Sequence, residues 1–283
     1  MRSASLLPAF ALSSALPAAL GCAGTVSGEG GGDAEVTTAT TSAVVSVQRT
    51  ADLVEGSRAE ASARFIRLMG PSSATDALRA IGAALDLPAQ GSCASLASLG
   101  DAPAAQAQLI ELIDVGEVSL EVNGVETRLS PRQLPDVTDI VSGVVYARAT
   151  DPGLLPAGDR YVLHVGGGRG RRAVDVVATA PGDPSEVQIA GEDAPGTLLA
   201  SGSAIDLSWT GDRPGDLVYV DVRPSGVRCV LEAGGHGSVS TLLLDDAGTL
   251  VVHRLHRESL RVEGIEGGEI RFDFARTVTY AHP

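Results

Sequence analysis

Apolar residues recur at every second position through most of this chain, and only a β-strand turns alternate side chains to one face. Val118, Leu120 and Val122 alternate with Ser119 and Glu121, and Asn123-Gly124 separates them from a returning run, Val125 to Leu129. Both turn residues accept positive φ, so this dipeptide predicts a tight hairpin. Gly143 to Ala149, Arg160 to Val165 and Arg171 to Ala180 supply further strands. Ile205, Leu207 and Trp209 alternate with Asp206 and Ser208, while Val218, Val220 and Val222 oppose Tyr219, Asp221 and Arg223. Cys229 and Leu231 share a face on the next strand. Ile270, Phe272, Phe274, Val278 and Tyr280 share one face of the last, with Arg271, Asp273, Thr277 and Thr279 opposite. Arg276 alone breaks that inward series, which predicts a bulge or an edge. Short strands parted by Gly- and Pro-bearing turns about every ten residues predict a mainly all-β fold, a sandwich or a barrel.

The N-terminal half adds one helix to this plan. Ala43 to Thr50 is strand-like, and in Glu60 to Met69 the side chains of Ile66 and Leu68 oppose Phe65. Ala77, Leu78, Ile81, Ala84 and Leu85 then recur at helical spacing, with Ser73 or Thr75 able to cap and Pro88 to stop the run. A short helix is expected near residues 73–87, followed by a long Ala- and Ser-rich connection through Pro103 that contains Cys93. Pro181-Gly182-Asp183-Pro184 is a turn cluster, expected to divide an N-terminal domain, 43–182, from a C-terminal domain, 183–283.

The first residues read as an export signal. Arg2 supplies a positive start and Leu6 to Leu20 an uncharged apolar run, too short for a transmembrane helix of roughly 18 residues or more. Pro8 and Pro17 interrupt it further. The segment Ala18-Ala19-Leu20-Gly21-Cys22 resembles the bacterial lipobox, although Ala19 stands where that family prefers leucine. The resemblance implies that residues 1–21 are removed and that Cys22 carries the lipid. Residues 22–42, rich in Gly, Ser, Thr and Ala, bury too little apolar surface to order themselves and are expected to form a flexible tether. Ala23 rather than aspartate after the cysteine points, by the enterobacterial rule, to the outer membrane.

Charge removes several function classes. The formal charge is −14, and a strongly acidic chain is repelled by phosphate backbones, so nucleic acid is not an expected partner. Every Lys or Arg position is arginine. A Schiff-base lysine, a P-loop lysine and the Ser-x-x-Lys pair are therefore excluded. Beyond Cys22 there remain Cys93 and Cys229, which an oxidising compartment would favour as a disulfide; sequence equally permits two separate buried thiols.

Leu207-Ser208-Trp209-Thr210 followed by Leu217-Val218-Tyr219-Val220 resembles strands B and C of fibronectin type III and related immunoglobulin-like modules. Cys229 does not fit that family's pattern. Leu155-Pro156-Ala157-Gly158-Asp159-Arg160-Tyr161 is similar to the penultimate turn and strand of many bacterial immunoglobulin-like modules. The layout as a whole resembles lipoproteins of high-GC bacteria such as myxobacteria. These likenesses imply two immunoglobulin-like β-sandwich units, with the helix in the first, and nothing about activity.

Few residues invite chemistry. His253 and His256, with Glu258 nearby, would share a face on a helix, but Gly248 to Val252 is strand-like, which sends residues three apart to opposite faces. His236 lies in the glycine-rich turn Gly234 to Ser238. Asp245-Asp246 lacks the alternating acids of a calcium loop. Gly166 to Arg172 looks like an anion cradle, yet it leads into a strand where phosphate loops open a helix. Gly-x-Ser-x-Gly and His-Glu-x-x-His are absent. The expectation is a lipid-anchored, non-catalytic envelope module without a cofactor or metal, meeting an envelope partner through Arg169, Arg171 and Arg172. The competing expectation is a metal-dependent or hydrolytic enzyme built on His236, His253, His256 and Asp245.

Overall fold

The computed structural model describes residues 39–52, 56–69, 74–100, 109–134, 141–168, 172–193, 196–261 and 263–283. Cys22, the signal segment and most of the expected tether lie outside them, although a strand already begins at Ala39. In chain order the strands begin with β1 Ala39–Ala51, β2 Arg58–Met69, β3 Ser92–Ser95, β4 Leu109–Leu112, β5 Val118–Val122 and β6 Val125–Leu134. They continue with β7 Val141–Thr150, β8 Arg160–Val165, β9 Val174–Thr179, β10 Gln188–Ile189, β11 Thr197–Leu199 and β12 Ala204–Ser208. The last are β13 Asp216–Arg223, β14 Val227–Val230, β15 His236–Ser240, β16 Ala247–Ser259 and β17 Gly267–Ala281. Two short helices, α1 Ala74–Ala80 and α2 Leu96–Gly100, are the only α-helices among the described residues. The chain is all-β in the expected sense.

One sheet carries the fold. Its path runs β3-β14-β13-β16-β17-β1-β2-β4-β7-β6-β5-β8-β9, with β11 joined to the end of β17. A second sheet, β10-β12-β15, stands apart from it. The inner face of the large sheet holds two cores. In the first, Val45, Val47, Ala61 and Phe65 from β1 and β2, with Phe272 and Phe274 from β17, meet Leu120, Tyr161 and Leu163. The rings of Tyr161 and Phe272 lie 5.0 Å apart. The Tyr161 hydroxyl donates to the Pro156 carbonyl at 2.8 Å, closing a tyrosine corner of the kind immunoglobulin-like sandwiches use. In the second core Val218, Val220, Val252 and Val278 meet Ile205, Leu207, Trp209 and Val239 from the small sheet. Trp209 is 5% exposed and donates Nε1–H to Asp212 at 2.5 Å. The expected Asn123-Gly124 turn forms, with φ of 51° and 75° joining Val122 to Val125.

Contacts gather Thr37–Pro283 into one compact unit, because β17 serves both cores. The turn cluster at 181–184 is the place where the chain passes from one core to the other. Arginines fasten that passage: Arg49 pairs with Asp183, Arg213 donates to the Ala180 carbonyl, and Arg254 reaches Glu186 at 3.0 Å. Gly182 packs so closely on the Arg254 guanidinium that a Cβ there would collide with it. Arg276 needs no bulge, since β16 and β17 stay in register from Ala247↔Ala281 to Ser259↔Glu269. It is buried between the two cores, where β17 loses β1 as its parallel neighbour and takes β11, and it donates to the Val187 and Asp193 carbonyls.

The helix is shorter than its periodicity predicts. It ends before Gly82, whose φ of +64° is the left-handed conformation that closes helices, while Ala83 N–H bonds back to the Leu78 carbonyl. From there the chain runs extended across the outer face of the large sheet. Leu78 and Ile81 pack on Ile66 and Leu68 at one end, whereas Leu85 and Leu87 reach Tyr219, Val230 and Leu255 at the other. The strap then becomes β3, which pairs with β14 and is fastened to it by the Cys93–Cys229 disulfide between directly opposed residues.

Candidate functional site

Between its two apolar footholds the strap covers a charged stripe. Alternation puts Ser46 and Gln48 of β1, Ser62 and Arg64 of β2, Arg271 and Asp273 of β17, and His253 and Arg257 of β16 on the outer face. Arg271, Arg257 and Arg228 donate in turn to the strap carbonyls of Ala83, Leu85 and Asp86, at 3.0, 3.3 and 3.0 Å. Carbonyls that no ladder satisfies are thus met by guanidinium groups.

Near β14 the stripe is a hydrogen-bonded network in which His253 Nε2 alone is buried without a hydrogen-bond partner. Asp273 accepts from the Tyr219 hydroxyl at 2.7 Å and bonds His253 Nδ1 at 2.8 Å, with the Tyr219 and His253 rings stacked 4.1 Å apart. Arg228 grips Asp221 through two contacts of 2.7 and 2.8 Å and lies over the Tyr219 ring. Burial pushes the Tyr219 hydroxyl well above its ordinary value, and the carboxylate of Asp273 adds to that. Burial alone would also raise Asp273, but His253, Tyr219 and Arg228 outweigh it and hold the group below its ordinary value. Arg228 ends above its own, because Asp221 outweighs its desolvation. Each carboxylate here is already engaged by two donors, an arrangement that fixes strands.

The histidines do not converge. His253 lies on the outer face; His256 lies on the inner one, 2.6 Å from Asp216 through Nδ1. His236, exposed on β15, contacts the Gly234 carbonyl at 3.2 Å, and Asp245 is exposed with its backbone N–H held by the Tyr280 hydroxyl. Among the described residues no three His, Cys, Asp or Glu side chains form a group able to hold a metal ion. The condition set by the enzyme reading, one pocket for His236, His253, His256 and Asp245, is not met.

Of the basic loop, Arg169 and Arg171 lie outside the described residues, while Arg172 is exposed at the foot of β9. The first half of the loop is tied down, with Gly166 N–H bonded to Glu117 and Gly168 N–H to Val115, at 2.7 and 2.8 Å. Sequence reading passed over Arg64, Arg257 and Ser46. In an alternating strand they look like ordinary solvent-facing positions, and only the strap, distant in sequence, leaves Ser46 buried and the two arginines half-buried.

No family model matches the chain, and no curated protein matches it. Among solved structures it is similar to the Fcho1 Mu homology domain of Danio rerio with bound Eps15 peptide, at 10% identity and a TM-score of 0.26, over 86% of this chain and 97% of that one. It is also similar to a structure bearing on host cell surface retention of a 1.5-MDa bacterial ice-binding adhesin. That likeness has 15% identity and a TM-score of 0.20, over 86% of this chain and 66% of that one. At such TM-scores neither likeness bears on function.

Proposed function

We propose that this chain is an exported, lipid-anchored envelope protein whose β-rich body serves as a non-catalytic binding or structural module. The observation that carries the reading is the Cys93–Cys229 bond, which fits an oxidising compartment. The lipobox-like segment ending in Cys22 supports the anchor. Two cores on one shared sheet make a stiff platform, and the basic loop between β8 and β9 is the surface that would meet an acidic envelope partner.

The anchor is tested by expressing the full chain in a Gram-negative host fed an alkyne-tagged fatty acid. The wild type is expected to take up the tag and sediment with membranes, and Cys22→Ala to lose both properties. Equal labelling of the two, or none in either, overturns the anchor. Replacing Arg169, Arg171 and Arg172 together with serine is expected to weaken partner capture from a membrane fraction; unchanged capture sinks the loop assignment.

A further inference from the structure

The charged stripe is not balanced along its length. Towards β2 the strap roofs a small niche of about 150 Å³, lined by Ser46, Ser62, Arg64, Arg271 and Asp273 and, on its exposed side, by Gln48 and Glu60. The niche exists because small residues oppose each other: Ser46 and Ser62 are cross-strand partners in the floor, and Gly82, Ala83 and Ala84 form the roof. Three guanidinium groups crowd this end. Arg271 is 6% exposed and pairs with Glu269, whereas Arg64 and Arg257 make no ion pair among the described residues. Burial comes first in depressing both Arg64 and Arg257; Glu60 opposes it at Arg64 and Glu269 at Arg257, and the charge of Arg271 adds to it in each. The Ser46 hydroxyl, in a residue 7% exposed, and Nε of Arg257 and Arg271 are buried without a hydrogen-bond partner. The other acid in the wall, Asp273, is already held by His253 and Tyr219.

Such an arrangement is incomplete as it stands, because half-buried Arg64 has no ion pair among the described residues and the buried Ser46 hydroxyl and Arg271 Nε each need a partner. Water would meet the hydroxyl alone, whereas one oxyanion would meet the hydroxyl and both guanidinium groups at once. We propose that the niche is a binding site for a small tetrahedral oxyanion such as phosphate or sulfate, held by Arg64, Arg271 and the Ser46 hydroxyl and entering beside Glu60. Guanidinium groups suit such an anion because they donate paired N–H bonds to its oxygens. In a chain of net charge −14 this pocket would be selective by enclosure, since the open surface repels anions.

Calorimetric titration of the full chain with inorganic phosphate, at ionic strength held constant with chloride, tests the proposal. Saturable binding is expected in the wild type, weakened about tenfold in Arg64→Gln, which loses one charge-assisted contact. A smaller loss is expected in Ser46→Ala. Glu60→Gln removes the acid at the mouth and is expected to tighten binding. Phosphate heats no different from those of chloride overturn the site, as does unchanged affinity in a folded Arg64→Gln. Should Arg64→Gln fail to fold, Glu60→Gln decides: tighter binding supports the site, and unaltered affinity overturns it.

Discussion

The arginines of the inner seam and those of the outer stripe share one residue type and differ in their company. At the seam Arg254, 1% exposed, meets Glu186, Asp212 and the Thr210 carbonyl, and Arg49 meets Asp183. Beneath the strap Arg64 and Arg257 have hydroxyl or carbonyl contacts and no paired acid. A paired and hydrogen-bonded arginine fixes geometry; a half-buried one without an ion pair keeps its donors available for a ligand. The seam therefore reads as construction and the stripe as a place for a ligand.

The sharpest way to break this contrast is to delete Arg254. Arg254→Ala is expected to lower stability by about 3 to 4 kcal/mol, through lost packing and three lost contacts. Arg254→Met should lose clearly less, because it keeps the apolar stem; urea unfolding of both variants checks the pair. Opening the strap comes next. Cys93→Ser with Cys229→Ala removes a link across 136 residues and should cost about 3 kcal/mol by the same assay, with faster hydrogen exchange at Ala83 to Gly91. Asp273→Asn should cost about 2 kcal/mol, since Tyr219 and His253 lose their shared acceptor charge.

The same substitution has a pH signature. Asp273 is held below its ordinary 3.8, so its contribution is present above that pH and disappears as pH falls through the lower folded value. Wild-type stability should then drop below about pH 4 more steeply than that of Asp273→Asn. Arg64→Gln is the opposite pole of the comparison. Without added oxyanion it should change stability by no more than about 0.5 kcal/mol, because no ion pair is lost. The smallest effect belongs to the open surface, where His164 lies between Asp175 at 2.8 Å and Glu121 at 3.2 Å. Its hydrogen bond to Asp175 raises it above 6.5, ahead of the opposing burial and the help of Glu121. Its modest stabilisation is complete below 6.5 and fades as pH rises through the folded value. An NMR titration should place its midpoint above 6.5 and bring it closer in Asp175→Asn.

What sequence made legible followed from local pattern. The alternation of Val218, Val220 and Val222, and of Ile270, Phe272 and Phe274, marks core faces whatever the strands pair with. The face opposite was illegible, since Ser46, Arg64 and Arg257 look solvent-exposed until a distant segment is laid over them. The same segment misled the helix reading: Leu78, Ile81 and Leu85 are spaced for one helical face, yet Leu85 serves a different apolar cluster from the other two. Arg276 marks no bulge; what changes there is the neighbour on the other flank of β17, which no local spacing encodes.

The position of β1 has a mechanical consequence. It lies between β2 and β17, antiparallel to one and parallel to the other, near the middle of the sheet. A pull arriving through the residues before Ala39 would run along β1, across the hydrogen bonds on both of its flanks. Those two ladders would have to shear together, where an edge strand would unzip one bond at a time. Its parallel neighbour β17 follows far along the chain, so this grip would be complete only after β17 had been delivered.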